Sequence, residues 1–381
     1  MNYKLTIGID ASRANNKNKT GVEWYAWHLI QNLKKINISS QTGKDVQFVL
    51  YSREKLEGEI AELPSNWSSK VLYWPPKRFW TQIRLSYEML INPPDVLFVP
   101  AHVFPIVRPR KTVMTIHDIA ALRFPKSYSV FQRFYTIWSA KIALKKLWKI
   151  IVPSNFTKNE LLSLKTEQYA SKIKVLYHGY DERYNIVNGD ENIANILKKY
   201  NIKQPYILSI GRLEEKKNTK RIVQAFNHIA QKTKVGEMSL VLVGLPGYGY
   251  NDILKTINKS QYKEKIISPG YVEPEDLRYI LKGAEVFVFP SLCEGFGLPV
   301  LDAMASGVSV VASSGSSLEE IGSDACLYVD PQDVWDIAKT ISTLLDNTDI
   351  CKKQIQKGMV RVKDFSWDKC AEETLVLLMS A

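Results

Sequence analysis

Short apolar runs of strand length recur along this chain, and each is followed by a longer stretch with room for a helix. In the first half they are Leu5–Ile9, Val46–Leu50, Val71–Trp74, Val96–Val99, Val113–Ile116 and Ile150–Val152. The second half repeats the rhythm with Tyr206–Ile210, Leu240–Val243, Val286–Phe289, Val308–Ala312 and Leu327–Val329. Strands alternating with helices predict parallel sheets covered on both faces. Two sets of five or six strands predict two doubly wound α/β domains. The segment Asp181–Gln204 is polar and rich in Asn and Asp, so it reads as a linker with a short helix. The boundaries this suggests are 1–181 for the first domain and 182–364 for the second. Residues 365–381, opening with Phe365-Ser-Trp367, read as a final amphipathic helix. In open parallel sheets ligands sit at the carboxyl ends of strands, so those ends are where chemistry is expected.

A chain of 381 residues with 45% apolar content can bury two cores. Its opening, Met1-Asn-Tyr-Lys-Leu-Thr-Ile-Gly-Ile-Asp10, reads as a strand rather than a signal peptide. No run approaches the roughly 18 apolar residues needed to cross a bilayer. Cys293, Cys326, Cys351 and Cys370 lie at scattered spacings that suggest neither a metal site nor a disulfide framework. Together these features predict a cytoplasmic protein. The charge is lopsided: residues 1–150 hold 23 Lys/Arg against 10 Asp/Glu, while residues 151–381 hold 28 against 29. An anionic partner is therefore expected for the first half only, whether phospholipid, lipid diphosphate or nucleic acid.

Three strand ends carry the chemistry. After Glu285-Val-Phe-Val-Phe-Pro-Ser comes Glu294-Gly-Phe-Gly-Leu-Pro-Val-Leu-Asp302, a Gly-rich turn with a helix predicted to start near Pro299. Backbone N–H groups at a helix start favour anions. The two carboxylates lie eight residues apart, placing one at the turn and the other about two helical turns on. This suits a sugar joined to a nucleotide through a diphosphate. The plainer alternative is a helix cap at Glu294 and an exposed helical residue at Asp302. In Tyr206-Ile-Leu-Ser-Ile-Gly211-Arg212-Leu-Glu-Glu-Lys216-Lys217-Asn218, a strand leads through a Gly turn into a basic loop. Arg212 and Lys217 would converge if that loop folds back, and paired cations can neutralise a diphosphate leaving group. In the first domain, Val113-Met-Thr-Ile-His117-Asp118 ends a buried strand with a His and an Asp. Asp-x-Asp, the pair that holds a divalent metal on a diphosphate, is absent from the sequence, and His28, His102, His117, His178 and His228 lack ligand spacing.

Glu294-x7-Asp302 closely resembles the Glu-x7-Glu motif of retaining glycosyltransferases with the GT-B fold, in the large family called GT4; Asp stands here for the usual second Glu. Gly211-Arg212-x4-Lys217-Asn218 resembles that family's diphosphate clamp, and Thr115-Ile-His117-Asp118 its Thr-x-His-Asp pattern. Lys19-Thr20-Gly21-Val22 is similar to its Gly-containing loop over the phosphates, although the family has more glycine there. The resemblance implies an α/β GT-B protein, with two Rossmann-like domains and a cleft between them. The donor would be held mainly by the second domain, and the last helix would cross back to the first. It implies transfer of a hexosyl group from a nucleotide diphosphate sugar to a hydroxyl of a glycan or lipid-linked acceptor, with retention and without metal or cofactor. Arg212 and Lys217 would take the donor phosphates, Glu294 the sugar hydroxyls and Asp302 the ribose hydroxyls. Phe296, Gly297 and Leu298 would offer backbone N–H groups, and Val272, in the loop Gly270-Tyr271-Val272, would help cradle the base through its backbone. His117 would stand beside the sugar and acceptor, and Gly21 over the phosphates. Glu320 matches a recurrent acid of the family, and Ser154 and Gly179 read as turn and capping residues.

Two further readings share the fold: a nucleotide-sugar epimerase, and a non-catalytic nucleotide-sugar-binding scaffold. A nucleic-acid binder would explain the first-half charge, but no aromatic-plus-basic motif supports it, so no nucleic acid partner is expected. Residues Phe131–Ile150 read as a basic amphipathic helix, with Phe131, Phe134, Tyr135, Trp138 and Ile142 on one stripe and Lys141, Lys145 and Lys149 on another face. Core packing accounts for the stripe and solvation for the lysines. Docking on an anionic membrane face is the alternative, and would place the protein peripherally on the inner side of a membrane.

Overall fold

The computed structural model of this chain describes all residues except 1–3, 18, 37–44, 77, 121–129, 186–189, 232–236 and 381. It divides into two units, one of residues 1–119, 130–179 and 366–381, the other of Ala120 and Tyr180–Phe365. The first holds a parallel sheet of seven strands: β1 (Lys4–Asp10), β2 (Asp45–Ser52), β3 (Trp67–Val71), β4 (Val96–Val99), β5 (Lys111–Thr115), β6 (Lys149–Val152) and β7 (Ile173–Val175). Their order is β3-β2-β1-β4-β5-β6-β7. The order reverses beside β1, which pairs with both β2 and β4. The second unit holds six strands: β8 (Tyr206–Ile210), β9 (Ser239–Val243), β10 (Ile266–Gly270), β11 (Val286–Phe289), β12 (Ser309–Ser313) and β13 (Cys326–Val329). They run β10-β9-β8-β11-β12-β13, again all parallel and reversing beside the first strand. Each unit is a doubly wound, Rossmann-like α/β layer structure, as the alternating runs predict.

The second sheet shows why its strands read as unbroken apolar runs. Along β11, Phe287 and Phe289 join one core cluster with Leu208, Val241 and Val310. Their neighbours Val286 and Val288 join another with Ile207, Leu240 and Val311. Successive side chains point to opposite faces, and helices cover both.

Three strands escape the sequence pattern, and all are edge strands. β3 lies at Trp67–Val71 rather than Val71–Trp74, and only Trp67 within it is buried. The predicted run leaves the sheet after Val71, and the Trp74 Nε1–H donates to the Arg78 carbonyl at 2.9 Å. β7 spans three residues, and β10 carries a Pro at Pro269. An edge strand exposes one side, so its sequence is short, polar or interrupted. The predicted helix Phe131–Ile150 is observed as Val130–Lys146, because Ile150–Val152 is fully buried within β6. The side chains of Phe131, Phe134 and Tyr135 lie outside the described residues, while Trp138 is exposed.

The final helix, Trp367–Met379, belongs to the first unit. Ser366 caps it by accepting the Asp368 and Lys369 N–H groups at 3.1 and 3.3 Å. Its first residue lies so near Gly179 that a Cβ there would sit 2.1 Å from the Trp367 nitrogen.

Candidate active site

In the second unit the strand ends β8, β9, β10, β11 and β12 carry Gly211, Gly244, Gly270, the Ser291–Leu298 turn and Ser314 respectively. Gly211 and Gly244 have φ of +147° and +143°, a region that glycine alone visits freely, and their loops close on each other. The Gly211 N–H donates to the Val243 carbonyl and the Gly244 N–H to the Gly270 carbonyl, each at 2.9 Å.

Lys217 and Glu294 meet at the centre. The Lys217 ammonium donates to Glu294 Oε1 at 2.5 Å and stands 4.9 Å from the Phe289 ring centroid. The Ser291 hydroxyl donates to the same carboxylate oxygen at 2.6 Å. Both partners are mostly shielded, with 20% and 10% of their side chains exposed. A second serine, Ser317, donates to the carbonyls of Glu294 at 2.9 Å and Phe296 at 3.0 Å, pinning the turn. Asn218 takes a left-handed conformation and bridges the carbonyls of Pro290 and Pro331, which fixes the loop that presents Lys217. Glu294 is therefore not a helix cap: its carboxylate is committed to Lys217 and Ser291. The helix Leu298–Ala305 starts from Gly297, at φ +111°, with no capping side chain.

Arg212 is exposed, and its guanidinium donates to the Pro246 carbonyl at 3.1 Å. The pairing at this turn is thus lysine with carboxylate, and Arg212 stands on the neighbouring loop. Phe296 is buried and packs edge-on against Phe365, 5.9 Å between centroids. A Cβ at Gly297 would fall 2.3 Å from Leu318. Val272 is buried in the core, so only its backbone faces the loop, whereas Tyr271 is exposed. Glu320 is half-buried and its carbonyl accepts from Arg361 at 2.8 Å.

Asp302 is half-buried rather than exposed. Burial pushes its carboxyl well above the usual carboxylate range, and the neighbouring charge of Asp181 adds to that; a backbone hydrogen bond from Asp181 and the cation of Arg183 oppose it. Arg183 in turn binds the Asp181 carboxylate at 2.5 Å and Glu275 at 2.6 Å. This Asp181–Arg183–Glu275 chain was invisible in the sequence, because Glu275 lies 92 residues from Arg183. Ser291 and Ser317 were equally silent, since serine carries no periodic signal.

In the first unit, Gly21 opens the helix Gly21–Lys35 rather than lying in a loop. Thr20 is the cap, and Glu23 reaches back to the Thr20 N–H at 3.2 Å, a reciprocal capping box. Ser154 likewise caps a helix, accepting the Thr157 N–H at 3.1 Å. His117 follows β5 and is buried; its Nε2 lies 3.2 Å from the Pro100 carbonyl and its ring packs edge-on to Tyr25 at 4.7 Å. His102, His178, His28 and Trp367 complete an aromatic cluster around it, with the His28 and Trp367 rings stacked at 4.9 Å. Among the described residues no three His, Cys, Asp or Glu side chains are placed to hold a metal ion.

Burial, then the nearby His102, push the His117 imidazole down to about 3, and burial likewise depresses His178. An unfolded imidazole titrates near 6.5. Below that pH the unfolded chain takes up protons that the folded unit refuses. The stability contributed is full above about pH 6.5 and falls as pH drops toward 3, by up to about 1.4 kcal/mol per unit for each histidine. Melting temperatures between pH 7.5 and 4.5 should fall more steeply for the native chain than for His117→Asn; equal slopes would contradict this burial.

Comparison with known proteins places both halves. The family model for glycosyl transferases group 1 matches residues 192–361, and that for Glycosyltransferase Family 4 matches residues 19–184. The chain is 31% identical over 269 residues to O-antigen chain mannosyltransferase B of Escherichia coli, covering 70% of each protein. It is 25% identical to the serotype-specific mannosyltransferase WbdA of Escherichia coli over 69% of this chain, a stretch that spans only 32% of WbdA. Among solved structures, Anabaena Alr3699/HepE in complex with UDP-glucose superposes with a TM-score of 0.73 at 15% identity, covering 99% of this chain and 100% of that one.

Proposed function

This chain belongs to the group 1, Family 4 glycosyltransferases, and from that premise we propose that it moves a hexosyl group from a nucleotide diphosphate sugar to a hydroxyl of a glycan or lipid-linked acceptor. The observation that carries this reading is the shielded Lys217–Glu294 pair at the carboxyl end of the β8–β11 sheet centre, held by Ser291. In this reading Lys217, with the exposed Arg212, meets the diphosphate and stabilises its charge as the glycosidic bond breaks. The Glu294 carboxylate, already oriented by two donors, accepts from sugar hydroxyls. The Asp302 carboxyl, pushed toward its neutral form, can both donate to and accept from the ribose. Backbone groups of Phe296, Gly297 and Leu298 lie at the start of an eight-residue helix, where anions are favoured. This scheme requires no protein nucleophile. The incoming hydroxyl attacks from the face the diphosphate leaves and gives its proton to a phosphate oxygen, so the anomeric configuration is retained and no metal is called for. His117, neutral at pH 7, serves as a hydrogen-bonding residue rather than an acid.

Because the 31% identical relative is named a mannosyltransferase, mannosyl donors come first in the test. Nucleotide sugars are incubated with the protein and oligosaccharide or lipid-linked acceptors in EDTA, and the product's anomeric configuration is read by NMR. Retained configuration at an undiminished rate supports the reading. Inversion, or a rate that returns only with a divalent metal, overturns it.

A further inference from the structure

Two parts of the second unit that lie apart in sequence are joined through one side chain. The first is the loop Gly270-Tyr271-Val272, which leaves β10 and leads into the helix Pro274–Lys282. The second is Asp302, on the helix Leu298–Ala305. Arg183 stands between them, in the short turn Glu182–Tyr184. Its guanidinium grips the Asp181 carboxylate as a fork, Nε donating to Oδ1 at 3.0 Å and Nη2 to Oδ2 at 2.5 Å. Its Nη1 donates to Glu275 Oε1 at 2.6 Å. Glu275 lies in the first turn of the helix that the loop enters.

Asp181 carries the connection on to Asp302. Its carboxylate caps the Glu182–Tyr184 turn by accepting the Arg183 N–H at 3.0 Å, which fixes its own backbone. Its backbone N–H is in turn a donor to the Asp302 carboxyl. The far end of the turn is held as well: Ser306, just past the Asp302 helix, donates to the Tyr184 carbonyl at 3.3 Å, and the Tyr184 ring packs on the core. The turn is thus attached to the Asp302 helix at both ends, and Arg183 attaches it to the helix behind the loop. A guanidinium presents its donors in one rigid plane, so the fork on Asp181 sets the direction in which Nη1 points. Lys199 ties the same helix elsewhere: it pairs with Asp276 at 2.6 Å from the end of the helix Asp190–Lys199.

We infer that Arg183 is a positioning residue for the donor's nucleoside: it holds the Gly270-Tyr271-Val272 loop and the Asp302 carboxyl at a fixed separation, so that base and ribose are recognised together. This rests on the reading in which that loop meets the base and Asp302 the ribose hydroxyls. Arg183 acts through Glu275 on the first and through Asp181 on the second. Losing it should therefore loosen the hold on the ribose more than the hold on the rest of the nucleotide.

The test uses the full chain with UDP, GDP and their 2′-deoxy counterparts, in EDTA, with Kd read by titration calorimetry. Removing the 2′-hydroxyl should weaken binding to the native chain by roughly 10-fold, and Asp302→Ala should abolish that preference. In Arg183→Ala the ribonucleotide should bind roughly 30-fold more weakly and its deoxy counterpart about threefold, so the preference falls to near unity. Arg183→Lys keeps a cation beside Asp181 and should melt as the native chain does. It should recover only part of the preference, because an ammonium cannot hold both carboxylates in one plane. Lys199→Ala should leave every constant within about twofold of native. The full native preference in Arg183→Ala, whether or not overall affinity falls, would overturn the assignment, as would an equal loss of preference in Lys199→Ala. A native chain that binds none of the probes or shows no preference, or an Asp302→Ala chain that keeps it, would instead overturn the reading of Asp302, and the assignment with it.

Discussion

Lys217→Ala is expected to lower kcat by about 100- to 1,000-fold, the usual cost of removing one group aimed at charge that develops in a transition state. The native ammonium sits 2.5 Å from Glu294 Oε1 in a pair of which 20% and 10% is exposed, so its position is set before any ligand arrives. Alanine also leaves the Glu294 carboxylate with Ser291 as its remaining donor at that oxygen, which destabilises the unit by about 1–3 kcal/mol. The two effects separate in a double-mutant cycle. Adding Glu294→Gln to Lys217→Ala should recover most of the lost melting temperature, because the unpaired charge is gone, while the rate stays low. Recovery of both rate and stability would mean the pair is structural. Lys217→Arg should regain only part of the rate, since a planar fork cannot replace a point charge packed over Phe289.

Gly244→Ala should destabilise the second unit by about 3 kcal/mol or more. A Cβ there would lie 1.9 Å from the Gly211 carbonyl oxygen, a backbone atom that cannot rotate away. The residue's φ of +143° adds strain for any side chain. At roughly 2–4 °C per kcal/mol for a domain of this size, the melting temperature should fall by about 6–12 °C. Gly315→Ala is the control: its φ is +73°, yet nothing lies within 4 Å of a Cβ there. It should cost about 1–2 kcal/mol. Similar losses at both positions would show that the loop closure between β8 and β9 matters less than the geometry says.

The fold was legible where burial is two-sided. β8, β9, β11 and β12 sit between helices on both faces and read as apolar runs that the structure matches within a residue or two. The edges β3, β7 and β10 did not read, because a strand with one open side needs no such run. The site was legible in its charged members. Lys217 and Glu294 stand 77 residues apart and were singled out by motif, but their direct ion pair was not foreseen. Arg212, expected to converge with Lys217, has its guanidinium on the Pro246 carbonyl. The residues that hold the site, Ser291, Ser317 and Asn218, act through single hydrogen bonds to backbone and carboxylate. Such bonds depend on distant chain segments and leave no periodic trace. Four histidines that lack ligand spacing in sequence gather around Tyr25 and Trp367 because three strand-end loops and two helices meet there. Gly21 reads as a loop glycine by motif, yet Thr20 and Glu23 stand at capping-box spacing and start the helix there.

In the proposed function the Lys217–Glu294 turn receives a nucleotide diphosphate sugar without help from a metal. The measurement that reaches it most directly is the melting temperature with and without the donor, in EDTA, for the native chain and for Lys217→Ala. A rise of several degrees is expected for the native chain at donor concentrations near 100 times Kd, where linkage contributes about 2.7 kcal/mol. EDTA should leave that rise unchanged, and the variant should lose it. A rise that survives in Lys217→Ala, or one that vanishes in EDTA for the native chain, would contradict it.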